Sequence, residues 1–252
     1  MSKKRAYQTN YSHGLNPAVY DLEKREKKAN TIISILDDYF QDTELSSLDM
    51  LDVGASTGII DHFLSDHFNK IVGIDIDEKA IQYAQDNFSG RNLVFNVGDA
   101  MQIDHPDESF DIVVCSHVYE HVPDPYKLMS EIRRVLKFGG ICYFSAGNRL
   151  SIREPHYNLL FLSAMPRFMS HLYLRILGRG SYYYEKHLTY WFLKKLVRDF
   201  DLVDYTRKMI YFPEKYHVDY MLKLNSAKHK IAKIIATYFY WICPTYIWIL
   251  RK

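Results

Sequence analysis

Cysteine is scarce in this chain of 252 residues: there are three, Cys115, Cys142 and Cys243, an odd number. No two of them have zinc-finger or C-x-x-C spacing, and Cys115 and Cys142 lie inside apolar runs, where they read as small buried hydrophobes. A reducing, cytoplasmic setting is therefore expected. The start, Met1-Ser2-Lys3-Lys4-Arg5, is basic but no apolar stretch follows it, so no signal peptide is expected. Internal repeats and low-complexity linkers are also missing. Charge of one sign is not in excess either: the formal net charge is +2, which by itself selects no partner.

What is present is a composition able to bury a core, 48% hydrophobic and 25% charged. The charge is divided unevenly along it. Residues 48–147 hold 7 basic against 16 acidic side chains, and residues 148–252 hold 18 basic against 7 acidic. Two surfaces with different partners are expected from that asymmetry.

Apolar periodicity predicts a helix over residues 17–41, opened by Pro17. Short strands are expected at Leu48–Val53, Ile71–Ile76, Leu93–Val97, Phe110–Ser116 and Ile141–Ala146, with helices at Gly58–Phe68, Glu78–Phe88 and Asp124–Leu136. Phe138-Gly139-Gly140 is expected to stop the last of these. Strands alternating with helices imply an α/β fold whose mostly parallel sheet is covered on both faces. Further on, helices are expected at Leu188–Phe200 and Tyr216–Trp241, and strands at Leu202–Ile210 and Pro244–Lys252. The run Ile234–Leu250 carries no charge and has about the minimum length for a membrane span. Pro244, two threonines and the dense tyrosines favour a helix followed by a core strand instead.

The sharpest local signal is Leu51-Asp52-Val53-Gly54-Ala55-Ser56-Thr57-Gly58, a strand running into a turn of small residues and then a helix. Small residues let backbone approach a ligand, and a helix start offers free N–H groups. Asp75 and Ile76 follow at the end of the next strand, where Rossmann-type sheets place an acid on ribose hydroxyls. Asp99 and Ala100 end the third strand, near where an adenine would lie. Ser116 ends the fourth. Glycine turn, Asp75 and Asp99, each at the carboxyl end of a successive strand, together imply a nucleotide-like cofactor. The G-x-G-x-x-G spacing of dinucleotide sites is lacking, because Gly54 and Gly58 are four apart with Ser56 between them.

These residues resemble the motifs of class I S-adenosylmethionine-dependent methyltransferases of the small-molecule type, similar to ubiquinone-pathway and related O-methyltransferases. Asp52-Val-Gly54-Ala-Ser-Thr-Gly58 resembles their D/E-x-G-x-G-x-G element with Ser56 at the middle glycine. Gly98-Asp99-Ala100, Phe110–His117 and Leu136–Gly140 resemble later motifs. The resemblance implies a Rossmann-like seven-stranded sheet with the seventh strand inserted between the fifth and sixth. It implies S-adenosylmethionine as cofactor, S-adenosylhomocysteine as product, and cofactor contacts from Asp52, Gly54, Ala55, Ser56, Gly58, Asp75, Ile76, Asp99, Ala100 and Ser116. The whole chain is expected to form one methyltransferase domain: an N-terminal helical segment (1–47), the cofactor core (48–147), an insertion or lid (148–187) and a C-terminal part (188–252).

A sulfonium methyl donor brings its own electrophile, so the protein has to position an acceptor and, for an oxygen acceptor, remove a proton. His117 and His121 are expected to serve there, a helical turn placing them on one side. The related family carries Glu-x-x-Glu-His as a proposed cation site. This chain has His117-x-x-Glu120-His121, and no metal is expected. His156, Tyr157 and His187 are expected to meet substrate. Tyr157–Gly178 reads as an apolar helix interrupted by Pro166, with Ser163, Arg167, His171 and Arg175 as a polar stripe facing lipid headgroups or closing a lid. The expected acceptor is a small or amphiphilic, lipid- or glycan-linked molecule methylated on oxygen, with peripheral membrane contact. A C-methyltransferase acting on a quinone-like ring and a non-catalytic cofactor-binding interaction protein are the alternatives. Nucleic acid is not expected, since an Asn/Asp-Pro-Pro-Tyr motif and a Pro-Cys nucleophile are both lacking.

Overall fold

The computed structural model describes residues 17–252; the basic start Met1–Arg5 lies outside them. Pro17 opens only a 3-10 turn, Pro17–Tyr20, and the long helix α1 (Leu22–Phe40) begins after Asp21, whose carboxylate accepts the Lys24 N–H. Next come β1 (Asp49–Val53), α2 (Ile59–Leu64), β2 (Lys70–Asp75), α3 (Glu78–Phe88) and β3 (Leu93–Val97). The regular part continues through β4 (Phe110–Ser116), α4 (Pro125–Val135) and β5 (Leu136–Gly147). Asp77 and Asp124 cap α3 and α4 as Asp21 caps α1. The Phe138-Gly139-Gly140 run, expected as a stop, lies inside β5. It forms a bulge between the Phe110–Leu136 and Ile112–Ile141 pairs, with Gly139 at φ 77°.

The insertion contributes a small hairpin, β6 (Arg153–Glu154) and β7 (Leu159–Leu160), then α5 (Arg167–Ile176). The helix expected from Tyr157 onward starts only after Pro166, which has no N–H to give a preceding turn and holds an extended backbone. The chain ends with α6 (Tyr190–Leu196), β8 (Asp201–Asp204), α7 (Tyr205–Tyr211), α8 (Ala227–Tyr238) and β9 (Thr245–Arg251). Two expectations are corrected here. The strand at Leu202–Ile210 stops at Asp204, whose carboxylate accepts the Thr206 N–H and starts α7. The helix at Tyr216–Trp241 is confined to α8, which begins at the Ser226 cap, next to Asn225 at φ 61°.

One sheet of seven strands runs β3-β2-β1-β4-β5-β9-β8. The first five are parallel, and β9 pairs antiparallel with both β5 and β8. This is the Rossmann-like order expected above, with the last strand between the fifth and sixth. β9 is apolar on both sides because both are covered: Trp248, Ile249 and Leu250 are buried. The uncharged run Ile234–Leu250 is thus split between α8, a 3-10 turn and a central strand. Among the described residues no helix is long and apolar enough to cross a membrane. All three cysteines are buried and unpaired.

One face of the sheet packs Leu51, Val113, Phe144 and Trp248 against α4 and α6; the other packs Met50, Ile71, Tyr143 and Ile249 against α1, α3 and α7. On that second face Asp38 of α1 locks the C-terminal part down. Its carboxylate accepts the Tyr205 hydroxyl at 3.0 Å, the Tyr216 hydroxyl at 3.1 Å and the Lys208 ammonium at 3.0 Å, with Lys215 as a fourth partner. Burial alone would push this carboxyl up, but the two lysines and two tyrosines hold it below the ordinary 3.8. Its contribution to stability is therefore present above that ordinary value and is lost as pH falls below it. Asp38→Asn is expected to lower the free energy of unfolding by about 2–3 kcal/mol at neutral pH, since two buried hydroxyls lose a charged acceptor. In urea titrations the gap to wild type should shrink under acidic conditions; an undiminished gap would rule out the ionised lock.

Candidate active site

The carboxyl ends of β1, β2 and β4 open onto a cavity of about 380 Å³. Gly54 leaves β1 at φ 89°, and a Cβ there would stand 2.5 Å from Val118 Cγ2, so only glycine fits both the dihedral and the space. Gly58 caps α2 at φ 70°, with Phe95 and Ala84 where a Cβ would go. Between them Ser56 takes φ 52°, a left-handed conformation that the glycine of the usual motif adopts freely and serine adopts with strain. The turn aims the Ser56 N–H at Asp75 Oδ2, 2.9 Å away, while the Asp77 N–H reaches Asp75 Oδ1 at 2.9 Å. Burial raises the Asp75 carboxyl, and these backbone donors oppose it.

Most of the residues expected at the cofactor line this cavity: Asp52, Gly54, Ala55, Ser56, Asp75, Ile76, Ala100 and Ser116. Gly58 stands behind it, shaping the turn. Asp99 does not line it; its carboxylate accepts the Met101 N–H at 2.7 Å and so holds the Gly98–Ala100 wall in place. Beneath lies a buried acid pair, Asp52 on β1 and Asp61 on α2. Burial, with repulsion from Asp75, pushes Asp52 up to about 7, and burial with the charge of Asp52 pushes Asp61 well above its ordinary value, against the attraction of Arg25.

His117 follows β4 at φ 59°, held by its own N–H on the Ser145 carbonyl at 2.9 Å. Its Nδ1 lies 3.1 Å from Oε1 of fully buried Glu120. Burial would raise the Glu120 carboxyl, but the His117 bond and the surrounding imidazoles bring it below the ordinary carboxylate range. The His117–His121 segment is a turn rather than the expected helix, yet both residues line the first cavity. His121 lines the cofactor cavity and is pushed down to about 3, chiefly by burial and then by neighbouring imidazoles, which keeps it neutral.

A second cavity of about 520 Å³ adjoins the first. Lys28, Ile32, Ile60, Ser116 and His117 belong to the walls of both. The rest of the second is mainly apolar, with Met209, Val218, Met221, Ile231, Ile235 and Ile247 from α7, α8, β9 and the loop between the two helices. Sequence reasoning missed this chamber and the part of α1 that closes both. A signal existed: Arg25, Lys28 and Ile32 recur at spacings of three and four, a basic edge on the apolar stripe of α1.

The residues expected at substrate lie elsewhere. His156, with Pro155, lines the cofactor cavity; its Nδ1 is 2.6 Å from Glu154 Oε1, and that partner outweighs burial to raise it to about 9. His187 is buried behind Glu154 and lines neither cavity. Tyr157 packs with Leu162, Leu174 and Tyr183 in a separate small cluster.

For the acid pair, raised carboxyls in the folded state mean that stability falls as pH rises from the ordinary 3.8 through about 7. Asp61→Asn is expected to flatten that fall and to be at least as stable as wild type at about pH 8, as read by urea unfolding across the range. A variant that parallels wild type at every pH would show that the pair holds no such proton.

The methyltransferase domain family matches residues 51–144, the stretch from β1 to β5 that supplies most of the first cavity's wall. A ubiquinone biosynthesis O-methyltransferase of Thiobacillus denitrificans is 31% identical over 159 residues, 62% of this chain and 64% of that protein. Its counterpart in Nitrosomonas europaea is 29% identical over 148 residues, 57% of this chain and 59% of that protein. The chain thus matches less than two thirds of the length of these curated relatives. An S-adenosylmethionine-dependent methyltransferase from Mesorhizobium loti superposes with a TM-score of 0.53 at 16% identity, covering 83% of this chain and 93% of that one, a likeness of fold. With the strand order, the glycine turn and the Asp75 cradle already in place, residues 51–144 are similar to a methyltransferase domain and the chain has the fold of S-adenosylmethionine-dependent methyltransferases.

Proposed function

We propose that this protein transfers a methyl group from S-adenosylmethionine to an oxygen of a hydroxylated small molecule with an apolar portion. The observation that carries the reading is the position of His117. It stands in the wall shared by a polar, acid-floored cavity and an apolar one, with Nδ1 tied to buried Glu120. That tie leaves Nε2 as the nitrogen available to a substrate hydroxyl, and the carboxylate stabilises the imidazolium that forms on taking its proton. The strained backbone of His117 fits a side chain held for its chemistry.

The first cavity suits the cofactor on its own geometry. Asp75, held by two backbone N–H groups, keeps lone pairs for ribose hydroxyls, and the Gly54 turn lets the ligand approach the backbone. Asp52 in the cavity wall offers its carboxyl oxygens to an ammonium group. Bound there, the cofactor supplies an electrophilic methyl. The protein positions the acceptor, excludes water through the α1 wall and takes the proton at His117. The apolar second cavity suits a ring or chain rather than a sugar.

Calorimetry and turnover separate these roles. Asp75→Ala is expected to weaken S-adenosylmethionine and S-adenosylhomocysteine binding by about 10- to 100-fold, the worth of one or two charge-assisted hydrogen bonds. His117→Ala should keep cofactor binding within a factor of about 3 and lower kcat by about 10²- to 10⁴-fold on a panel of hydroxylated amphiphiles offered with labelled cofactor. No binding by folded wild type would refute the cofactor site. Unchanged kcat in His117→Ala would refute the base and favour carbon methylation.

The same reading includes contact with a membrane surface. The polar stripe on α5 turns inward instead of toward headgroups: Arg167 and Arg175 donate to the carbonyls of Tyr183 and Ser181, and His171 Nδ1 accepts the Tyr183 N–H. The apolar side is left outside, with Phe168 72%, Leu172 56% and Ile176 72% exposed. Paired Trp191 and Trp241 add exposed aromatic surface, and the excess of Lys and Arg beyond residue 148 suits anionic lipid. The protein should co-sediment with anionic vesicles, and the double change Phe168→Asp and Ile176→Asp should reduce the bound fraction several-fold. Equal recovery in the supernatant with and without vesicles would refute the contact.

A further inference from the structure

Beside the first cavity, the insertion gathers buried and part-buried carboxylates and imidazoles. Glu154, on β6, is fully buried. Its Oε1 is 2.6 Å from His156 Nδ1 and 3.4 Å from His187 Nε2, and its Oε2 accepts the Tyr157 N–H at 2.8 Å. The three side-chain atoms of Glu154, His156 and His187 lie within 4.8 Å of one another. Methyl transfer as proposed above uses none of the three.

Two further observations point to a missing partner at this cluster. Glu185, 2% exposed, lies close enough for its charge to act on His156, Glu154 and His187, and its Oε2 has no hydrogen bond. Tyr183, 4% exposed, leaves its hydroxyl without one, and His187, 8% exposed, leaves Nδ1 without one. Buried polar atoms of native proteins are overwhelmingly paired, so these orphans around the Glu154 cluster call for a ligand or an ion.

We propose that Glu154, His156 and His187 form a binding site for one divalent transition-metal ion, zinc in the first instance. Two imidazole nitrogens and a carboxylate oxygen are a three-ligand zinc set that leaves a fourth position for water or another oxygen. Ligand atoms around tetrahedral zinc stand roughly 3.3 Å apart, as follows from bonds of about 2.0–2.1 Å. The His187–Glu154 separation already has that value, and the shorter His156–Glu154 contact needs to open by less than about 1 Å. Glu185 is placed to accept from the bound water or from a ligand imidazole. Entry is through the cofactor cavity, where His156 is part of the wall. The ion would join the β6–β7 hairpin to the segment before α6, beside the end of β5, where a Cβ on Gly147 would meet the His187 ring at 2.9 Å. Its role is to clamp the insertion over the edge of the sheet.

His156 also stands near Glu120 and His121, a second set able to share it. The two are separated by variants. Chelator-treated full-length protein is titrated with Zn²⁺ by calorimetry, its metal content is counted after dialysis, and Co²⁺ is used as an optical probe. One zinc per chain is expected, with Co²⁺ giving the visible absorption of a four-coordinate site and zinc raising the unfolding temperature. Glu154→Gln and His187→Gln should each weaken zinc binding by about 100-fold or more, and His121→Gln should leave it within a factor of about 3. Circular dichroism verifies that each variant folds; His156→Gln replaces any that does not. Folded wild type that takes up neither zinc nor cobalt would overturn the proposal. So would loss of the site in His121→Gln with retention in His187→Gln.

Discussion

The Ser56 N–H meets the Asp75 carboxylate only because the chain leaves β1 through two left-handed residues, Gly54 at φ 89° and Ser56 at φ 52°. That contact ties the β1 turn to the end of β2 across the cofactor cavity. The Gly54 and Ala55 N–H groups, both bonded to the Ile74 carbonyl, tie it a second time. Val118 then fits into the space that a side chain at Gly54 would fill, which brings the residues after β4 against the same turn. Three strand ends are thereby fixed to one another within a few ångströms. The catalytic candidate His117 inherits its position from that packing, one residue before Val118.

Much of this was legible in the sequence because it rests on local rules. The cofactor half is a run of short strands and helices specified by periodicity, with Asp77 and Asp124 at the starts of α3 and α4 and Gly58 at that of α2. Asp52, Gly54, Ser56 and Asp75 could be placed because in a parallel sheet all strand ends that precede helices gather at one edge. β9 was legible too, since an alternating stretch apolar on both sides has to be covered on both.

What failed to read depended on contacts distant in sequence. The second cavity is built from α1, α7, α8 and β9, which come together only in the folded chain, and no local pattern marks a wall. The stretch from Tyr205 to Ile210 has apolar residues that suit a strand as well as a helix, and the Asp204 cap decides the matter. On α5 the four-residue spacing of Arg167, His171 and Arg175 was visible, but its orientation was not. The carbonyls of residues 181–183 attract those side chains inward and leave the apolar face outside. His187 looked like a ligand for substrate; tertiary packing makes it a buried neighbour of Glu154.

The strand order has a consequence for how the molecule is assembled. β1 to β5 stand side by side in the sheet, so five of its seven strands, including the cofactor edge, can form from contacts within residues 49–147. The other edge of β5 must wait for β9, about a hundred residues later, and among the described residues β8 has no strand partner other than β9. Closing so long a loop before its contacts reward it is slow. During that interval β5 presents an unpaired edge bearing Ile141, Tyr143 and Phe144, the kind of edge that pairs with other chains. The strand that seals the apolar chamber is thus also the one that protects the nascent sheet from its neighbours.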